Sequence, residues 1–160
     1  MEMAHQPTRD ERNLLLTHVQ GILMKDFETF EHKADMGIRG YGQTAEEAFE
    51  NGAKALFSVM VDVESIEGKE RRDIHCSADD LEILFVEWLN VLLSVADSEG
   101  LVFSRFEVKI DGGNLTGWAM GEELRYEKHK PVVEVKAATY HMLRVEKVKD
   151  GYVAQCVVDV

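Results

Sequence analysis

The stretch EHKADMG, Glu31 to Gly37, places two carboxylates and an imidazole within five residues, directly ahead of a segment with strand character. At the other end of the chain, VVDV supplies another acid, Asp159, and Val160 adds a free α-carboxylate. Carboxylates gathered at one point repel each other and raise their own pKa values unless a cation neutralises them. An all-oxygen donor set of that kind suits a hard ion, calcium, magnesium or manganese, with main-chain carbonyls and water completing the shell. Spacing alone does not bring Asp35 to Asp159, and a turn role for one with a strand-end role for the other accounts for the same residues. His32 has two readings as well, a satisfied polar or orienting group and a catalyst. In EVKAATYHML, alternation sets Lys136, Ala138 and Tyr140 on one strand face and Ala137, Thr139 and His141 on the other. Those faces are either one exposed and one packed, or Lys136, Thr139 and His141 line a polar site or interface.

Several chemistries are excluded by what is missing. No glycine-rich phosphate loop follows a strand, no Gly-x-Ser-x-Gly elbow occurs, and no cysteine stands beside a histidine as a nucleophile would. Cys76 and Cys156 are far apart and outside any CxxC pattern, which argues against a disulfide framework or structural zinc. They read as small apolar strand residues in a reducing compartment. The formal net charge is -12 with no run of Lys or Arg, so direct nucleic-acid binding is not expected. The acid excess serves solubility, or else it faces a basic partner or a bound cation. The opening MEMAHQPTRDERN is too acidic for a secretory n-region, and nothing approaches a membrane span. The expected location is the cytoplasm.

These residues need elements to position them. Residues 1–25 read as a mobile arm, with a helical turn or two from Asn13 to Lys25, and residues 26–160 as a single domain. FETFEH and MGIRGYG read as short strands. Thr44 with Glu47 forms a capping box ahead of an amphipathic helix whose apolar positions run from Ala45 to Met60. After a short strand near Arg71–Cys76, Ser77 with Asp80 resembles a second capping box. DLEILFVEWLNVLLSVAD follows as a helix buried on most sides, closed by Gly100. Period-two alternation then takes over at Phe106, Val108 and Ile110, with DGGN as hairpin turn. A strand near Leu115–Gly121, a polar loop RYEKHKP, and the strands of VVEVKAATYHMLRVEKV and YVAQCVVDV complete the chain. The fold class is α+β: two helices packed on a mostly antiparallel, multi-stranded sheet.

Five segments in register resemble one family. EHKADMGIRGYGQTAEEAF resembles the archease opening, Asp-His-Thr-Ala-Asp followed by an aliphatic residue, Gly-Ile and a capped helix. DLEILFVEWLNVLL resembles its second helix, and Gly121-Glu122 to His129 its Gly-Glu…His segment. KAATYHML is similar to its Lys-Ala-Val-Thr-Tyr-His strand, and VVDV to its Asp-aliphatic end. The likeness runs from Phe27 to Val160. It implies a protein cofactor of the GTP- and manganese-dependent RNA ligase that joins tRNA exons, promoting guanylylation of the ligase and repeated turnover. It also implies a bound metal, often calcium, held by Asp35, Asp159 and the terminal carboxylate of Val160. His32, Glu31, Lys136, Thr139 and His141 match motif positions with supporting or partner-contact roles. Glu31, Lys33 and Ala138 replace the usual Asp, Thr and Val. A second reading tied to the family is a chaperone-like modulator of a tRNA methyltransferase. A third, independent of it, is a metal-dependent hydrolase using Asp35, Asp159 and His32, against which the missing nucleophile motif counts.

Overall fold

The structure, a computed structural model, describes residues 25–160. The expected N-terminal arm lies, but for Lys25, outside the described residues. The elements run β1 (Phe27–His32), β2 (Asp35–Gly42), α1 (Ala45–Met60), a 3-10 turn (Val63–Ser65), β3 (Glu70–Ser77), α2 (Leu81–Glu99), β4 (Leu101–Asp111) and β5 (Asn114–Glu123). A short helix α3 (Tyr126–His129), β6 (Ala137–Ala138), β7 (Arg144–Val148) and β8 (Gly151–Asp159) follow. The expected α+β class, helices on antiparallel strands in a single domain, is the one found. The strands divide between two sheets. One has the order β1-β2-β8-β6 with β7 also on β8, the other the order β3-β5-β4, and every pairing is antiparallel.

Helix α1 joins the two sheets by packing on β2 and β8 of the first and β4 of the second. Its start follows the sequence signal, since Thr44 Oγ1 accepts from Glu47 N at 3.1 Å. The Glu47 carboxylate reaches back one residue beyond the cap, to Gln43 N at 2.6 Å. The helix can lie this close to β2 because Gly40 carries no side chain. A Cβ there would stand 2.2 Å from Gly52 N and 2.3 Å from Ala48 O, both helix backbone atoms.

Helix α2 begins differently from its sequence reading. Ser77 belongs to β3, and Asp80 is itself the cap, accepting from Ile83 N at 2.8 Å. The helix ends at Gly100, whose φ of 67° is left-handed. Leu84, Phe85, Val86, Trp88, Leu89, Leu92, Leu93 and Ala96 are buried, as the broad apolar stripe requires. Phe57, Phe103, Phe106 and Trp88 form one aromatic cluster and Phe49 with Phe85 another, linked by Trp88 Nε1 donating to Phe49 O at 3.0 Å. Each such ring contributes about 1.5–3 kcal/mol by leaving water. No helix among the described residues is long and apolar enough to cross a membrane.

Two segments depart from expectation. RYEKHKP contains α3 and buries His129 completely, rather than running as a polar loop. EVKAATYHML is a strand only at Ala137–Ala138, so the proposed alternation through His141 does not occur. The cause is Thr139. Its hydroxyl donates to Val157 O at 2.7 Å and accepts from His141 N at 3.2 Å, offering the backbone a local alternative to the ladder. Val157 N then bonds His141 O at 3.0 Å, Met142 turns at φ 55°, and pairing resumes with β7. Tyr140 and His141 are consequently both exposed.

Candidate functional site

Strand register assembles the corner where β2 meets β8, the last strand, with the end of β1 alongside on β2. His32 faces Asp35 across the β1–β2 turn, and Met36 pairs with Val158, which makes Asp35 and Asp159 the next step of that ladder. Val160 N donates to Asp35 Oδ1 at 3.3 Å, a contact across 125 residues of sequence. On the other side of β8, Ala137 pairs with Asp159, and Lys136 N donates to Asp159 O at 2.7 Å. Asp35, Asp159 and Val160, remote in sequence, therefore occupy one corner. Asp35 and Val160 are half-buried and Asp159 is exposed.

Among the described residues neither Asp35 nor Asp159 has an ion-pair partner. Two carboxylates without an ion-pair partner at one corner are oxygen donors of the kind that could contribute to holding a hard divalent cation. Among the described residues no group of three His, Cys, Asp or Glu side chains is placed to hold a metal. Such a set therefore depends on main-chain oxygen as well as the two aspartates.

The supporting candidates separate. His32 and His141 meet: their Nε2 atoms lie 3.4 Å apart, with ring centroids at 4.7 Å. Thr139 shapes the turn that carries His141, through the bonds described above. The Lys136 side chain is exposed, and its main chain makes the bond to Asp159. Glu31 pairs with Met36. It is one residue out of phase with His32, so strand alternation turns it away from Asp35's face.

A hydrogen-bonded network on the same sheet face holds this corner. Glu28 accepts from Arg39 at 2.5 Å and from Tyr41 Oη at 2.7 Å. Arg39 Nε donates to Gln155 Oε1 at 2.7 Å, and Gln155 Nε2 donates to Met142 O at 3.0 Å. Burial alone would raise the Glu28 pKa; the bonds from Tyr41 and Arg39 outweigh it and hold the carboxyl below its ordinary value. Through Gln155 the network fixes the turn that presents His141.

A second polar cluster carried a sequence signal, the Gly-Glu…His segment, but sequence reading assigned it no role. Glu122 Oε2 accepts from Glu67 N at 2.9 Å, Lys128 Nζ at 2.8 Å and His129 Nε2 at 2.9 Å. His129 Nδ1 accepts from Arg125 N at 2.9 Å, so the imidazole is neutral with its hydrogen on Nε2. Burial would push the Glu122 carboxyl up, but these donors hold it well below the usual carboxylate range. The cluster is saturated. It ties the end of β5 and α3 to the loop after α1, where Asp62 N also bonds His129 O at 2.9 Å.

Comparison with known proteins agrees with this architecture. The model of the Archease protein family matches residues 27–160. Protein archease of Pyrococcus abyssi is 51% identical over 142 residues, covering 86% of this chain and 100% of that protein. Its counterpart in Thermococcus gammatolerans is 50% identical over 141 residues, covering 85% and 99%. The solution structure of Methanobacterium thermoautotrophicum protein 1598 superposes with a TM-score of 0.76 at 42% identity, covering 86% of this chain and all of that one. A Thermotoga maritima crystal structure, described as an archease and possible chaperone, shares the fold at a TM-score of 0.56 and 23% identity, covering 82% of this chain and 94% of that one. With its whole described fold matched from β1 to Val160, the chain belongs to the archease family.

Proposed function

We propose that this protein is a non-enzymatic activator of the GTP- and metal-dependent RNA ligase that joins tRNA exons, promoting guanylylation of the ligase and multiple turnover. The observation that carries the reading is the meeting of Asp35, Asp159 and Val160 at one accessible corner, on a chain of this family. Asp35, Asp159 and the Val160 carboxylate would hold a divalent cation, calcium first, with magnesium or manganese as alternatives. When bound, such an ion supplies a fixed positive charge beside phosphate groups, which is what phosphoryl transfer requires. The chain's own contribution is positional. Strand register sets the two aspartates, and the Arg39–Gln155–Met142 bonds hold the adjoining turn. The net charge of -12 steers the molecule toward a basic, RNA-binding partner.

The test is reconstitution of cognate ligase, GTP and cleaved exons. The wild-type protein should convert slow ligation to multiple turnover, and Asp159→Ala should abolish the gain. Equal stimulation by wild type, Asp35→Ala and Asp159→Ala would show the acidic corner to be irrelevant. A second reading, a chaperone-like modulator of a tRNA methyltransferase, draws on the description of the Thermotoga maritima relative as a possible chaperone. It requires a change in the methyltransferase's oligomeric state without GTP, measurable by light scattering.

A further inference from the structure

The two histidines of the corner carry chemistry that the acidic set does not. Their Nε2 atoms face each other at 3.4 Å. That is longer than the roughly 2.7–3.2 Å of a good nitrogen hydrogen bond. It coincides with another length: two ligands about 2.0–2.1 Å from a tetrahedral zinc ion lie about 3.3–3.4 Å apart. The rings meet edge to face, inclined at 61°, an arrangement that brings the two Nε2 atoms together rather than stacking the faces.

Both side chains leave from fixed backbone. His32 is the last residue of β1 and pairs with Asp35. His141 is held by its N–H to Thr139 Oγ1 and by its carbonyl to Val157 N, at 3.2 and 3.0 Å. The next residue, Met142, is tied in turn through Gln155 to Arg39. Little reorganisation separates this arrangement from one with an ion between the rings.

We propose that His32 and His141 form a two-nitrogen half-site for a borderline divalent transition ion, zinc above all. Imidazole donors select zinc, copper, nickel or iron, whereas an oxygen set takes calcium or magnesium. Two protein donors leave the remaining positions open to water or to a donor brought by a bound macromolecule, and His141 is exposed enough to permit either. The inference stands independently of the ligase reading, because it concerns nitrogen donors and binding alone.

The experiment uses the untagged full chain titrated with zinc chloride at neutral pH, read from the imidazole carbon–proton resonances and by calorimetry. The His32 and His141 signals should move together and saturate, while His75 and His129 move far less. His32→Ala and His141→Ala should each weaken this zinc binding by about tenfold or more, since each leaves a single donor. His141→Gln, which keeps the size of the side chain, should do the same in a chain whose amide spectrum is native, and His75→Ala should leave the affinity unchanged. The proposal is overturned if His32 and His141 show no saturable response up to millimolar zinc. It is equally overturned if binding survives both alanine variants, or if Asp159→Ala abolishes it while His141→Ala does not.

Discussion

His129→Ala tests whether the Glu122 cluster holds the second half of the fold. The imidazole is completely buried, donates to Glu122 Oε2 at 2.9 Å and accepts from Arg125 N at 2.9 Å. Its removal costs a hydrogen bond to a charged group, about 1.5–3 kcal/mol, and leaves a main-chain N–H without its acceptor, about 1–3 kcal/mol. Allowing for water entering the vacated space, the expected loss is about 3–5 kcal/mol. That is a large share of the roughly 5–15 kcal/mol by which domains are stable. At about 2–4 °C per kcal/mol for a chain of this size, the Tm should fall by about 6–20 °C. His129→Gln provides the control, since its amide can both donate and accept, and it should lose only about 1–2 kcal/mol. Urea unfolding with an unchanged slope would give both differences directly. A loss below about 1 kcal/mol for alanine, or equal losses for alanine and glutamine, would refute the account of His129 as a two-way hydrogen-bonding clamp.

Three further outcomes are expected. Gly40→Ala drives a methyl group into the backbone of Gly52 and Ala48, which cannot swing aside, so it should destabilise by about 3 kcal/mol or more, measured by thermal unfolding. The Glu122 carboxyl is held below its ordinary value of 4.5, so its contribution is present above that pH and is lost as pH falls through the folded value. The stability gap between wild type and Glu122→Gln should therefore be widest near neutrality and narrow in acid; a gap independent of pH would contradict the assignment. Burial pushes the Cys156 thiol up to about 12, and burial with the Glu87 charge pushes Cys76 up to about 11. Neither should react with a disulfide reagent in the native protein near neutral pH, while both should react in denaturant.

Elements with local signatures were legible in the sequence. Thr44 and Glu47 mark the start of α1, the dense apolar stripe marks α2, and Gly112–Gly113 mark the β4–β5 turn, because each depends on neighbours a few residues away. What was hidden depends on distant partners. Asp80 rather than Ser77 caps α2 because β3 keeps Ser77 paired with Asn114. The hydroxyl of Thr139 diverts the chain from the expected strand by bonding Val157, a residue spacing cannot single out. His129 looked like a loop residue among charges because its partner Glu122 lies on β5 and its burial comes from tertiary packing. The candidate site was half legible. Motif likeness named Asp35 and Asp159, but only the β2–β8 register joins them, and only the phase of the β1–β2 pairing turns Glu31 away.

That same β2–β8 ladder has a kinetic meaning. The β4–β5 and β7–β8 hairpins close between near neighbours, whereas joining Asp35 to Val160 closes a loop of 125 residues. Long-range pairing carries the larger loop entropy before any contact rewards it, so this ladder is expected to zip late. Pulsed hydrogen exchange would show the β2 amides that bond β8, unlike those that bond β1 in the local hairpin, protected after those of β5. The acidic corner and the imidazole pair then come into being only with the final closure. An ion or partner that recognises them recognises finished molecules alone, and by binding it holds shut the seam that was slowest to form.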